Sequence, residues 1–142
     1  MTMTRIQRIF LLVEGTSFAV AGFIHSGLLG MGGDKAASIA ESTLAVVVLL
    51  GLMLTWVSPA RVRLIALVAQ TIALLGTLVG AFTIAIGIGP RTLADIVFHV
   101  TMLAVLACGL VVSARGDQPN GRERHTAAAR LLGEGDNSCA LP

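Results

Sequence analysis

The chain has 142 residues, of which 55% are hydrophobic and only 13% charged, with a formal net charge of +2. A soluble domain is nearer half apolar and a quarter charged, and here the charges gather at the N-terminus, in short loops and in the segment after Ser113. Apolar runs of about 20 residues separate them, the length that crosses a hydrocarbon core about 30 Å thick, so the composition excludes an ordinary soluble globule.

The start, "MTMTRIQRIFLLVEGTSFAVAGFIHSG", has the basic opening of a signal peptide. Its apolar stretch is too long for one and is interrupted by Glu14, so it reads as the first spanning helix, about 9–31. "GGDKAA" forms a loop, and a second helix follows over about 39–57, with Trp56 as an interfacial anchor. "SPARVR" is a tight basic turn in which Pro59 stops that helix. The third helix spans about 64–88, "GPRT" turns the chain, and the fourth spans about 93–113. The fold class is therefore an all-α membrane protein, an antiparallel bundle of four transmembrane helices within 1–113. The segment 114–142 reads as a polar, disordered cytoplasmic tail, in which "RERHTAAARLL" could form a short surface helix.

Basic residues orient the bundle. Arg5, Arg8, Arg61, Arg63, Arg115, Arg122, Arg124 and Arg130 fall on one side, and only Lys35 and Arg91 on the other. Both termini are expected in the cytoplasm of a bacterium, the chain lying in the inner membrane; arginine-rich, alanine- and glycine-rich usage matches a GC-rich bacterial genome. The partners expected are the lipid bilayer and a second membrane protein or copy, with no nucleic acid. Gly76 and Gly80 make a GxxxG, and Gly22, Ser26 and Gly30 repeat at four; such residues let helices approach closely, within the bundle or in a homodimer.

An ionisable group inside a membrane is expensive and marks a site by default. Five fall within the spans: Glu14, His25, Glu41, Asp95 and His99. At about 1.5 Å per residue, His25 lies about 8 Å, Glu41 about 4 Å, Asp95 about 3 Å and His99 about 9 Å from the outer helix ends. Two imidazoles and two carboxylates at one level could hold a divalent transition metal, or His25 and His99 could ligate a haem. A structural alternative competes. Ser38 with Glu41, and Thr92 with Asp95, have the spacing of capping boxes at helix starts. The histidines would then bond across helices, His99 to Glu41 or His25 to Asp95. Arg91 could anchor headgroups, pair with Asp95 or take an anion. On the cytoplasmic side, about 9 Å from the inner end of helix 1, Glu14 reaches a depth similar to that of Gln70, and the two form a candidate polar pair. Cys108 and Cys139 have no metal or disulfide spacing, and no nucleophile, Walker or dinucleotide motif occurs. The leading expectation is a non-enzymatic accessory or interaction subunit whose His/carboxylate cluster locks the bundle. A metal- or haem-binding redox protein and a small proton-coupled transporter are the alternatives.

The block "AQTIALLGTLVGAFTIAIGIGPRTLADIVFHVTMLAVLACGLVV" at 69–112 resembles a family of small bacterial four-helix membrane proteins. There a Gly-rich third helix runs into GxGPRT, followed by an Asp and a His on the fourth. Gly89, Pro90, Arg91, Thr92, Asp95 and His99 match that motif, with Glu41 from "ASIAES" on helix 2. The resemblance covers about 10–113 and implies a fold and a location without a chemistry; similarity to DoxX-like proteins is of architecture alone.

Overall fold

The structure, a computed structural model, describes residues 2–28, 33–89 and 91–115. The expected tail and its surface helix, apart from its first two residues, lie outside the described residues, as do Gly30 and Pro90. Four helices run α1 Met3–His25, α2 Lys35–Val57, α3 Val62–Ile86 and α4 Leu93–Arg115, with one 3-10 turn, Pro59–Arg61, between α2 and α3. Each is long and apolar enough to cross a membrane.

The boundaries differ from the apolar runs where local chemistry outweighs hydropathy. α1 begins six residues ahead of its expected start. Its polar first turns have tertiary partners: Gln7 is buried, and Arg8 Nε donates to Thr55 Oγ1 at 3.1 Å and its Nη2 to the Thr55 carbonyl at 2.7 Å. It ends at His25 and not at 31, because Gly27 adopts φ 76°, a left-handed conformation that no helix continues through. Glu14 is consequently at the midpoint of α1, eleven residues from Met3 and eleven from His25. α2 starts four residues early because Asp34, and not Ser38, is its cap; the Asp34 carboxylate accepts from the Ala36 and Ala37 amides at 2.9 and 3.0 Å. α3 ends at Ile86, where Gly87 at φ 85° lets the Ile88 amide bond back to Thr83 in a Schellman arrangement.

Helices of Leu, Val and Ala pack by close approach in lipid, since burial from water offers no drive there. The core joins Leu11 and Phe18 of α1, Ala45 and Val48 of α2, Ala66, Ala69 and Ala73 of α3, and Met102 and Leu106 of α4. A Cβ on Gly51 would come within 2.8 Å of Ala69 Cβ, so α2 and α3 meet nearly backbone to backbone. The glycines read as an approach motif are covered by the chain itself: Gly76 lies under Leu44, Gly80 under the His99 ring and Gly22 under Ser42. A dimer through those positions would have to displace contacts inside the bundle.

The distribution of polarity identifies the surroundings. Gln7, Glu14, Glu41, Thr55, Gln70, Thr77, Asp95 and Ser113 are buried, while Val20, Leu50, Met53, Leu75, Phe82 and Val100 face outward. Polar groups turned inward beneath an apolar exterior suit a hydrocarbon solvent and not water. The chain is a multi-pass membrane protein.

Candidate functional site

Two polar layers cross the bundle. The first is centred on Gln70 of α3. Its Nε2 donates to Glu14 Oε1 of α1 at 3.0 Å, and its Oε1 accepts from Ser113 Oγ of α4 at 3.0 Å. Glu14, Gln70 and Ser113 are completely buried. The Glu14–Gln70 pairing follows from their matching depth. Ser113 was legible only as a small polar residue near the end of α4. An amide can donate and accept at once, and that property makes Gln70 the centre of a three-helix link. No ion pair reaches Glu14 among the described residues.

The second layer gathers where α1 ends and α2 and α4 begin. His25 Nδ1 lies 2.7 Å from Glu41 Oε2 and its Nε2 lies 3.0 Å from Asp95 Oδ1. Glu41 and Asp95 are 5% and 7% exposed, so both contacts are sheltered. Each N···O contact requires one proton. Either an imidazolium lies between two carboxylates, or a neutral imidazole donates to one carboxylate and accepts from a protonated carboxyl at the other end. Both arrangements hold the same protons and carry one net negative charge, so a proton can move along the line without changing the total.

Capping at the two helix starts diverges. At α4 the box forms: the Asp95 amide donates to Thr92 Oγ1 at 3.2 Å, and the Thr92 amide donates to Asp95 Oδ2 at 3.2 Å. The Thr92 hydroxyl donates to that same Oδ2. Asp95 therefore caps α4 with one oxygen and meets His25 with the other, so the capping and cluster readings both hold. At α2 the box does not form. Ser38 Oγ donates to the Gly22 carbonyl at 2.9 Å, tying α2 to α1, and Glu41 is committed to His25.

His99 is not bonded to Glu41. Its Nδ1 meets the Asp95 carbonyl at 2.9 Å, one turn back on its own helix. A carbonyl only accepts, so Nδ1 carries the proton. In the neutral ring Nε2 is then a bare acceptor, and it has no hydrogen-bond partner among the described residues. Gly80 makes room for it, because a Cβ there would come 2.7 Å from Nε2. Phe98 stacks edge-on against His99 and against Phe18 of α1, with ring centroids at 5.5 and 6.2 Å.

Arg91 does not pair with Asp95. Its guanidinium folds back over Gly87 and donates to the Ile84 and Ala85 carbonyls at 3.0 and 2.8 Å, closing the end of α3. Arg8 does the same for α2 and also stacks over Trp56 at 4.2 Å, and Arg63 does so for α4 through the Ala114 carbonyl at 2.7 Å. Charge counting treats these arginines as orientation signals. Each also satisfies the open carbonyls and the negative end of a helix dipole.

Comparison with protein-family models, with curated proteins and with solved structures returns no match. The functional reading therefore rests on this geometry.

The metal and haem expectations do not fit it. Both ring nitrogens of His25 are engaged by carboxylates, leaving no lone pair for iron or zinc. Among the described residues no group of three or more His, Cys, Asp or Glu side chains is arranged to hold a metal ion. What the arrangement offers is a clasp: one imidazole holding the ends of α1, α2 and α4 together.

A cavity of about 270 Å³ opens beside the clasp, between α2, α3 and α4. Glu41, His25 and His99 border it, Phe18, Leu44, Val79 and Phe98 form much of its apolar wall, and Asp34 stands among its lining residues.

Proposed function

We propose that the chain is a non-enzymatic accessory or interaction subunit of the bacterial inner membrane. Its helices alternate in direction, both termini lie in the cytoplasm, and its loops at Asp34 and Arg91 lie outside. The observation that carries this reading is the complete use of His25. With a carboxylate on each nitrogen, from two other helices, the ring holds structure and has no valence left for substrate or cofactor.

The test is His25→Ala, with unfolding followed by SDS titration in mixed micelles. Removing one partner of a buried pair costs up to about 3–5 kcal/mol, and interhelical bonds in membranes average about 0.6 each, so a loss of about 2–3 kcal/mol is expected. A variant as stable as the parent, or one that stays folded while losing a measurable catalytic turnover, overturns the reading. Orientation is tested separately, in a background lacking Cys108 and Cys139. A cysteine replacing Lys35 should react with a membrane-impermeant thiol reagent in intact cells, and one replacing Arg61 only after permeabilisation; the reverse pattern inverts the topology.

A further inference from the structure

The cavity beside the clasp has a chemical bias that the clasp does not need. Among the described residues, each polar side chain on its wall other than His25 presents an acceptor. Glu41 gives Oε2 to His25, and its Oε1 has no partner among the described residues. His99 turns a bare Nε2 toward Gly80 on the cavity wall, its proton being held on Nδ1 by the Asp95 carbonyl. The hydroxyl protons of Thr77 and Thr83 are spent on the Ala73 and Gly80 carbonyls of their own helix, leaving only oxygen lone pairs. Asp34 accepts both of its amide bonds through Oδ1, so its second oxygen adds another acceptor. His25 donates nothing inward, since both nitrogens are committed.

The charge has the same bias. Glu41, His25 and Asp95 together hold one net negative charge by the proton count above. Neither neighbouring cation is among the cavity's lining residues: Arg91 has its guanidinium on the end of α3, and Lys35, between Asp34 and Ala36, is exposed. A guest that accepts hydrogen bonds, or carries negative charge, would meet only lone pairs. A guest with a cationic donor head would meet the acceptors it needs. The walls select the remainder of the molecule: Leu44, Val79 and Phe98 are apolar, and Phe18 is buried beside them. An apolar cavity of about 150 Å³ accommodates benzene, so the present 270 Å³ suits a body of about two fused rings.

We propose that this cavity is a binding site for a small apolar amine in its ammonium form, the head beside Glu41 and His99 Nε2, Asp34 at the outer end of the wall, and the body against Leu44 and Phe98. Its failure is distinguishable from failure of the clasp reading, because its diagnostic residue, His99, takes no part in the His25 contacts.

The test uses the full chain in lipid nanodiscs and equilibrium binding of 1-naphthylmethylamine, with empty nanodiscs subtracting partition into lipid. Three comparators share its rings: 1-methylnaphthalene has no donor, 1-naphthalenemethanol has a neutral donor, and 1-naphthylacetate is an anion. The expected result is one saturable amine site, at least about tenfold tighter than methylnaphthalene, the alcohol between them, and no saturable binding of the anion; charge-assisted hydrogen bonds support a factor of that size. His99→Leu should weaken the amine about tenfold and leave methylnaphthalene unchanged. Ala40→Phe, which fills the cavity from α2 without touching either polar contact, should abolish binding of both. Asp34→Asn, which keeps the helix cap, should weaken the amine about threefold. Folding of each variant is checked by its SDS unfolding midpoint. Equal binding of amine and methylnaphthalene means a merely apolar pocket, and equal binding of amine and alcohol means that charge is not read; either overturns the proposal. So does amine binding that survives Ala40→Phe, or no saturable binding above empty nanodiscs.

Discussion

Gly109 provides the most demanding test of the buried Gln70 network. It lies on α4, and a Cβ built there would fall 2.7 Å from Glu14 Oε1 and on top of Gln70 Nε2, the two atoms joined by the central hydrogen bond. In an ordinary exposed helix Gly→Ala gains up to about 1 kcal/mol. Here the methyl group must push Gln70 off Glu14, Ser113 or both. Two interhelical bonds at about 0.6 kcal/mol each, with a ceiling near 1.7, give about 1–3 kcal/mol. Overpacking adds about 1–3 kcal/mol. Set against the propensity gain, Gly109→Ala should destabilise by about 1–5 kcal/mol. SDS unfolding in mixed micelles measures this, and a double-mutant cycle assigns the cause. In a Gln70→Ala background the obstructing amide is absent, so the same substitution should cost at least about 1 kcal/mol less. Gly109→Ala equal to or more stable than the parent, or an unchanged cost in the Gln70→Ala background, would refute the placement of this network.

Other expectations follow from the arginine caps and the histidines. Arg91→Ala should lose about 0.5–1.5 kcal/mol and increase amide exchange at residues 84–88, whereas a headgroup anchor would leave exchange there unchanged. Arg8→Ala removes the Thr55 bonds and uncovers Trp56, the single tryptophan of the chain, so its emission should shift while stability falls by about 1–2 kcal/mol; an unchanged spectrum contradicts the stacking. Gly80→Ala drives a methyl group onto His99 Nε2 and should weaken amine binding while leaving the His25 contacts in place; unchanged amine affinity would count against His99 as its acceptor. Protein purified in mild detergent should show no haem Soret band and no stoichiometric transition metal by elemental analysis; bound metal that His25→Ala removes would reverse the reading of that ring.

The helices were legible because four long apolar runs leave few alternatives, and the start of α4 at Leu93 coincides with the end of "GPRT". The ends of α1 and α2 were less so. The apolar run through Leu28 masks the break that Gly27 makes by backbone conformation, and Asp34 outcompetes Ser38 as the α2 cap because its carboxylate reaches two amides. The same trait divides the site. His25, Glu41, Asp95 and His99 were visible as polar residues at one depth, and the spacing of Thr92 and Asp95 encodes their box. Which imidazole meets which carboxylate was not visible, since it depends on how α1 is rotated and where it stops. Ending α1 at 31 lowers His25 into the bundle by more than a turn and a half; ending it at His25 brings the ring level with the starts of α2 and α4.

The placement of polar groups along α1 explains how so uniform a chain holds one arrangement. Helices built of Leu, Val and Ala slide and rotate against one another at small cost, because in lipid one apolar face is nearly equivalent to another. α1 removes that freedom at three heights. Arg8 meets α2, Glu14 meets Gln70 of α3, and His25 meets α2 and α4. Glu14 and His25, eleven residues apart, fall about 20° from the same helical face at 100° per residue, while Arg8 lies well off it. A shift of α1 by one residue turns all three away by about 100° and leaves Glu14, Glu41 and Asp95 without their partners. Gain from any single bond is modest, but the penalty for every wrong register is several such bonds at once. The clasp at His25 is therefore a device of specificity more than of strength, and by holding the ends of α1, α2 and α4 together it keeps Glu41 at the wall of the cavity between α2, α3 and α4.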